Sequence, residues 1–294
     1  MRPLSRKKRI WYLVLSALLF VFLAPFLVLY ATGYRFSLSD ALTITRTGGI
    51  YVSVGESGVD IYVDGKIVKR TNIFQKGAFV QNLSPDLYEV SVVKSGFQEW
   101  KKSLKVLPET VTEAYSFQLP VTPLINEIGK YLPRATSTAT STPSVPPKIN
   151  PEYVLVSELF DNKNDSLPRL SQNATSSDKL KILRKLSVAN EDGQLIARWT
   201  GDIESAPSYF CDGAICEEQI AIVTPSRVKT FDFFPGRGDL LIVAIAEGVF
   251  VVEIDNRSVQ NIQSILEGEG LDFRIRDGNT IYIQSGGKFL LVSL

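Results

Sequence analysis

The residues that usually carry enzymatic chemistry are scarce in this chain. Among its 294 residues there are two cysteines and no histidine. Histidine is the usual general base near neutral pH and the commonest metal ligand. Without it, no Ser-His-Asp or Cys-His nucleophilic arrangement can be built. His-ligated zinc is excluded as well, and two cysteines cannot supply an all-thiolate site. The expectation is therefore a protein that is not an enzyme, with no catalytic residue, no cofactor and no metal site. Carboxylate-pair, lysine-based and Mg²⁺-dependent chemistry stay open on composition. The cysteines, Cys211 and Cys216, stand in YFCDGAICEEQ around Asp212-Gly213, a tight-turn pair. A reactive redox pair usually has two intervening residues rather than four. Outside the cytoplasm, this spacing favours a disulfide that staples the hairpin.

The acids are the remaining candidates for chemistry. A glycan hydrolase needs two carboxyl groups about 5–10 Å apart in a cleft. Glu217, Glu218, Asp232 and Asp239 lie near turns or on strand faces and suggest no such pair. Asp60 and Asp64 would share a strand face, but Asp64 fits a hairpin position and Asp60 a solvated one. The run Asp161 to Asp165 (DNKND) resembles a calcium loop only faintly. Lys163 stands where an oxygen donor is needed, and no glutamate follows at the required distance. Gly236-Arg237-Gly238 lacks the Gly-Lys-Ser/Thr of a phosphate loop and reads as a hairpin turn.

The elements that would position these groups begin with a membrane segment. Residues 10–31, IWYLVLSALLFVFLAPFLVLYA, carry no charge, and about 20 such residues span a bilayer as a helix. Trp11 and Tyr12 at one end, and Tyr30 and Tyr34 at the other, suit the interfacial belts. Residues 1–9 form a basic tail with Arg2, Arg6, Lys7, Lys8 and Arg9. The positive-inside rule puts this tail in the cytoplasm and everything after Ala31 outside. A cleaved signal peptide would have a shorter apolar core, about 7–15 residues, and a better small-x-small site than Leu29-Tyr30-Ala31. An uncleaved single-pass anchor in the cytoplasmic membrane, held by lipid, is expected. A tail of this size cannot hold a signalling domain. Net charge is +1 and the only basic cluster is this tail, so no nucleic-acid partner is expected.

From 47 to 119 apolar and polar residues alternate with period two, the mark of half-buried strands. Ile61 and Val63 alternate with Asp60, Tyr62 and Asp64, and Tyr88, Val90 and Val92 alternate with Glu89 and Ser91. Asp64-Gly65 between IYV and KIV is a two-residue hairpin signal. Ser84-Pro85-Asp86 and Ser95-Gly96 give further turns. GVDIYVDGKIVKRT followed by NLSPDLYEVSVVKSGFQEWKKSLKV resembles a PEGA domain. The resemblance is carried by Asp64, Gly65, Pro85, Tyr88, Val90, Gly96, Phe97 and Trp100. The name-giving turn departs from the family, with Asp86-Leu87 where Glu-Gly or Gly-x is more usual. The resemblance covers about a quarter of the chain. It implies a small β-sandwich of surface and envelope proteins, without catalysis of its own.

Residues 120–150 read as a linker. Arg134 to Pro147 (RATSTATSTPSVPP) predicts an extended spacer, and Leu124 to Leu132 a short helix before it. From 151 to 294 strand patterns return in three similar stretches, Lys185–Asp202, Val228–Arg257 and Leu271–Leu294. Phe231 to Phe273 gives a period of about 42 residues, within the range of propeller blades. The Gly-His and Trp-Asp marks of such blades are absent. Three or four blades would make an irregular sandwich, or a partial propeller completed by another chain.

The fold expected is mainly β: an N-terminal transmembrane helix, a small PEGA-like sandwich, a Ser/Thr/Pro linker and a C-terminal β-rich unit with blade-like repeats. The function expected is non-catalytic. Such a protein would be membrane-anchored and extracytoplasmic, and would present β domains to cell-wall polysaccharide, peptidoglycan or a surface protein. The alternatives are an accessory subunit of a membrane complex and a carboxylate-dependent glycan hydrolase.

Overall fold

The computed structural model describes residues 5–31, 34–37, 43–132, 148–161, 180–213 and 215–294. The chain is mainly β, and among the described residues none of its seven sheets closes into a barrel. It opens with helix α1, Arg6–Ala31, which contains Pro25 and has no buried residue. At 1.5 Å per residue it is about 39 Å long, more than the roughly 30 Å hydrocarbon thickness of a bilayer. A short hairpin, β1 (Tyr34–Ser37) with β2 (Thr43–Arg46), follows it.

The first unit comprises β3 (Gly48–Ser53), β4 (Asp60–Val63), β5 (Lys66–Arg70), β6 (Gly77–Leu83), β7 (Leu87–Val93), β8 (Trp100–Lys105) and β9 (Val111–Tyr115). They form two sheets, β5-β4-β7-β8 and β6-β3-β9. The predicted alternation sets the inner faces: Ile61, Val63, Val90, Val92, Trp100 and Leu104 meet Ile50, Val52, Ala78 and Ala114 in one apolar cluster. Asp64 and Gly65 have φ of 48° and 72°. Two successive positive φ values are what a two-residue type I′ hairpin requires, and Asp and Gly reach them most easily.

The chain then departs from expectation twice. Residues 124–127 are not helical but form strand β10, Leu124–Glu127, antiparallel to the last strand of the protein. Helix α2, Pro151–Asp161, follows where only strands were expected. Its start is locally encoded: Pro151 opens the first turn, and the Asn150 side-chain oxygen accepts the Glu152 N–H at 3.0 Å, the usual N-cap arrangement. The expected spacer, Arg134–Pro147, lies outside the described residues, as do positions 162–165 of the DNKND run.

The second unit holds three four-stranded antiparallel sheets. The first joins β11 (Leu180–Leu183), β12 (Leu186–Glu191), β13 (Gln194–Trp199) and β16 (Gln219–Ile222). A two-stranded excursion, β14 (Cys211–Asp212) with β15 (Ile215–Cys216), sits between its last two strands. The second sheet is β17 (Thr230–Phe233), β18 (Leu240–Ile245), β19 (Gly248–Glu253) and β20 (Ile262–Glu267). The third is β21 (Asp272–Arg276), β22 (Thr280–Ser285) and β23 (Lys288–Ser293), completed on its outer side by β10. Each of the three similar stretches of sequence supplies two or three strands of one of these sheets, and β10, β11, β16 and β20 come from outside them.

The middle sheet is buried on both faces, which explains why LLIVAI is a continuous apolar run rather than an alternating one. Leu241, Val243 and Ile245 pack with the first sheet through Leu186, Val188, Leu195 and Ala197. Leu240, Ile242 and Ala244 pack in the same cluster as Phe273, Ile281 and Ile283 of the third sheet and the core of the first unit. The far face of the third sheet, with Tyr282 and Phe289, is covered by α2 through Val156, Tyr153 and Phe160. One apolar core therefore runs through both units.

Candidate functional site

Among the described residues, the largest group of buried charges lies at the seam between the units. In β8, Trp100, Lys102 and Leu104 share the inward face. Lys102 is thereby carried to the edge of the sandwich, where β19 arrives. On β19, Glu253 continues the face of Val249 and Val251. The two side chains meet with Lys102 fully buried and Glu253 3% exposed. Lys102 Nζ donates to Glu253 Oε1 at 2.5 Å and to the Asp255 carbonyl at 2.8 Å. Glu253 also accepts from Trp100 Nε1 at 3.0 Å, from the Asn261 N–H at 2.8 Å and from Asn261 Nδ2 at 2.9 Å. The Arg257 guanidinium grips Asp255 through Nε at 3.0 Å and Nη2 at 2.7 Å, and reaches the Glu113 carbonyl of β9 at 2.7 Å.

The seam continues with uncharged groups. Gln263 accepts the Leu119 N–H at 2.7 Å and donates to the Phe117 carbonyl at 3.1 Å. Gln98 exchanges two hydrogen bonds with the Ser264 backbone, at 2.7 and 3.1 Å. Arg237, inside the expected Gly-Arg-Gly turn, binds Asp239 and reaches the Ser116 carbonyl at 3.3 Å. A buried charge is tolerated when it is paired and hydrogen-bonded. Here the ammonium and the carboxylates satisfy one another, so this arrangement latches two sheets together rather than presenting a free nucleophile or base.

The residues singled out in the sequence fall in separate places. Cys211 and Cys216 are bonded across β14 and β15. Asp64 Oδ1 accepts the Glu89 N–H at 3.0 Å, which ties the β4–β5 hairpin to β7. The Tyr88 hydroxyl donates to the Ser84 carbonyl at 3.0 Å across the turn containing Pro85. Val90 is in the core. Gly96 has φ of 79° and its carbonyl accepts the Val121 N–H at 2.9 Å, while Lys94 Nζ stands 4.1 Å from the Phe97 ring centre. Trp100 is both core and seam. Arg6, Lys7, Lys8 and Arg9 open α1, and Trp11, Tyr12 and Tyr30 project outward from it.

The acids are dispersed. Asp60 is held by Arg70 at 2.5 and 2.6 Å, and that guanidinium keeps its carboxyl below the ordinary carboxylate range. Asp239 is taken by Arg237, Asp232 is buried with Oδ1 accepting the Phe233 N–H at 2.8 Å, and Glu217 and Glu218 are exposed. No group of three or more potential metal ligands occurs among the described residues.

Sequence reasoning missed the seam. Its local signal was Lys102 on the same face as Trp100 and Leu104, an inward lysine that needs a partner. That partner lies 151 residues away, beyond any local pattern.

No family model matches the chain, and no curated protein matches it by sequence. Among solved structures, it is similar to a Bacteroides fragilis protein of unknown function that its own description assigns provisionally to the membrane. That similarity is at 10% identity over 84% of this chain and 94% of the other, with a TM-score of 0.20. A likeness at that score carries no argument about fold or function.

Proposed function

We propose that this protein is a single-pass, non-catalytic envelope protein. Its N-terminal helix lies in the cytoplasmic membrane with the basic tail inside, and its β body outside contacts wall polymer or a surface protein. The carrying observation is α1: a 26-residue helix with no buried residue, free of charge from Ile10 to Ala31, preceding a mainly β body. A helix hydrophobic all round is at home in a bilayer. Arg6, Lys7, Lys8 and Arg9 at its start support the inward orientation of the tail. The two facing sheets of the first unit suit the small sandwich that the PEGA resemblance implies. The absence of histidine and the mutual satisfaction of the seam charges support a binding or structural role.

Protease added to intact spheroplasts expressing the full chain tests this reading. Digestion of the β body with retention of α1 is the expected result. Full protection, with digestion only after lysis, would overturn the orientation.

A second reading, an accessory subunit of a membrane complex, is favoured by one observation. Among the described residues the second unit holds three four-stranded sheets, the last completed by β10, fewer than a closed propeller ring usually has. Crosslinking that recovers a stoichiometric membrane partner would support it, and a lone monomer in sedimentation would count against it.

A further inference from the structure

The outer face of β6-β3-β9 carries exposed aromatic rings. Tyr51 on β3 stands opposite Phe79 on β6 and Glu113 on β9. Side chains opposite one another on adjacent strands share a face, so this row presents two rings and a carboxylate together. Two glycines lie beside the rings. A Cβ on Gly49 would come within 2.9 Å of Phe79 Cε2, and one on Gly77 within 3.0 Å of the Tyr51 hydroxyl oxygen. The rings therefore lean over bare backbone and lie low on the sheet, instead of standing up between neighbours. Tyr51 is 39% exposed and Phe79 50%. At the rim, Tyr115 is also part-exposed and donates its hydroxyl to Glu113 Oε2 at 2.8 Å. The Gln81 amide, opposite Gly49, is exposed on the other side.

Size and charge decide the occupant. Three strands at about 4.8 Å spacing and five residues at about 3.3 Å rise make a plate of roughly 10 by 13 Å. That is far below the ~800 Å² per partner of a stable protein interface. Its size suits a short run of linked pyranose rings. A pyranose has a face of C–H groups that stacks on flat aromatic rings, and a rim of hydroxyls that exchange hydrogen bonds with carboxylate, amide and phenol groups. No lysine or arginine stands among the face residues, and Glu113 disfavours a polyanion. We infer that this face is a binding plate for a neutral glycan chain, with Tyr51 and Phe79 as stacking rings and Glu113, Tyr115 and Gln81 as hydrogen-bonding rim. This inference deepens the wall-polymer reading and rests on it.

The test uses the full chain in nanodiscs. Binding of chitohexaose, cellohexaose and polygalacturonate is measured by calorimetry, beside retention on purified wall sacculi. Saturable binding of a neutral hexasaccharide is expected. The pair Tyr51→Ser and Phe79→Ser should weaken it at least about tenfold, a loss of the size that removing stacking rings brings elsewhere. Both rings pack on the sheet surface outside the apolar core, so that variant should still fold, with only a modest fall in melting temperature. Glu113→Gln, which keeps a hydrogen-bonding group, should weaken binding less. No binding of either neutral sugar, binding indifferent to the ring substitutions, or preference for polygalacturonate would each overturn the plate. Sacculus retention that persists without hexasaccharide binding would overturn the plate alone. Loss of sacculus retention with hexasaccharide binding intact would sink the wall reading and leave the plate standing.

Discussion

Substituting Lys102 by Met removes the ammonium at the centre of the seam while keeping an unbranched side chain of similar length. Glu253, 3% exposed, then loses its shortest donor but keeps Trp100 Nε1, the Asn261 N–H and Asn261 Nδ2. Removing one partner of a buried ion pair typically costs about 3–5 kcal/mol, because the other charge is left uncompensated. The three surviving donors put the expected loss at the lower end, about 3 kcal/mol. For a body of this size each kcal/mol moves the melting temperature by roughly 2–4 °C, so a fall of about 6–12 °C is expected. The assay is thermal and denaturant unfolding of the full chain in detergent, followed by the fluorescence of its three tryptophans, of which Trp100 in β8 and Trp199 in β13 lie in the β body. Glu253→Gln should also destabilise. The double variant should cost less than the sum of the two, because the second substitution removes the charge that the first left stranded. A Lys102→Met change within about 0.5 kcal/mol of the unaltered chain, or simple additivity in the double variant, would refute the buried-latch reasoning.

Further expectations follow from other sites. Replacing Cys211 and Cys216 by serine opens a loop with a sequence separation of 5, for which chain entropy gives about 2 kcal/mol; chemical denaturation in the oxidised and serine forms should differ by that amount. Burial, with the nearby Asp239 and Asp255 carboxylates, pushes the Tyr209 phenol above its ordinary range. Its contribution to stability is then complete below about pH 10 and is lost as pH rises above it. Alkaline titration followed by tyrosinate absorbance should show one tyrosine ionising only as the body unfolds. Arg70 depresses the Asp60 carboxyl, so that pair's contribution is present above about pH 4 and is lost on further acidification. Arg70→Ala should return the Asp60 titration, read by NMR, to the ordinary carboxylate range with little change in stability, because Arg70 is 71% exposed. Since one apolar cluster joins the two units, they should unfold in a single transition, and two separated calorimetric peaks would contradict the shared core.

The sequence made local features legible where the cause was local. A charge-free run longer than a bilayer is thick identifies α1. Asp64-Gly65 identifies a hairpin because few residue pairs accept two positive φ values, and the cysteine spacing around Asp212-Gly213 identifies the staple. Period-two alternation located the strands of the first unit, and each of the three similar stretches supplied strands to a different sheet. What stayed hidden depends on distant residues. LINE at 124–127 reads equally as helix or strand over so short a span, and its strand state is fixed by pairing with Leu290 to Ser293. Asn150-Pro151-Glu152 did carry a helix-start signal, overshadowed by the strand patterns downstream. Glu253, Asn261 and Gln263 look like ordinary polar strand or loop residues until the first unit covers them. The aromatic plate is legible only once β6 and β9 flank β3, since the glycines that level the rings lie on neighbouring strands.

The β body is proposed to present a binding surface to the envelope. The most direct test of this is retention of the full chain, in detergent, on purified wall sacculi against a matched column of solubilised membrane proteins. Retention on sacculi that soluble neutral glycan competes away is the expected result. Passage through the sacculus column with no retention on either matrix would contradict it.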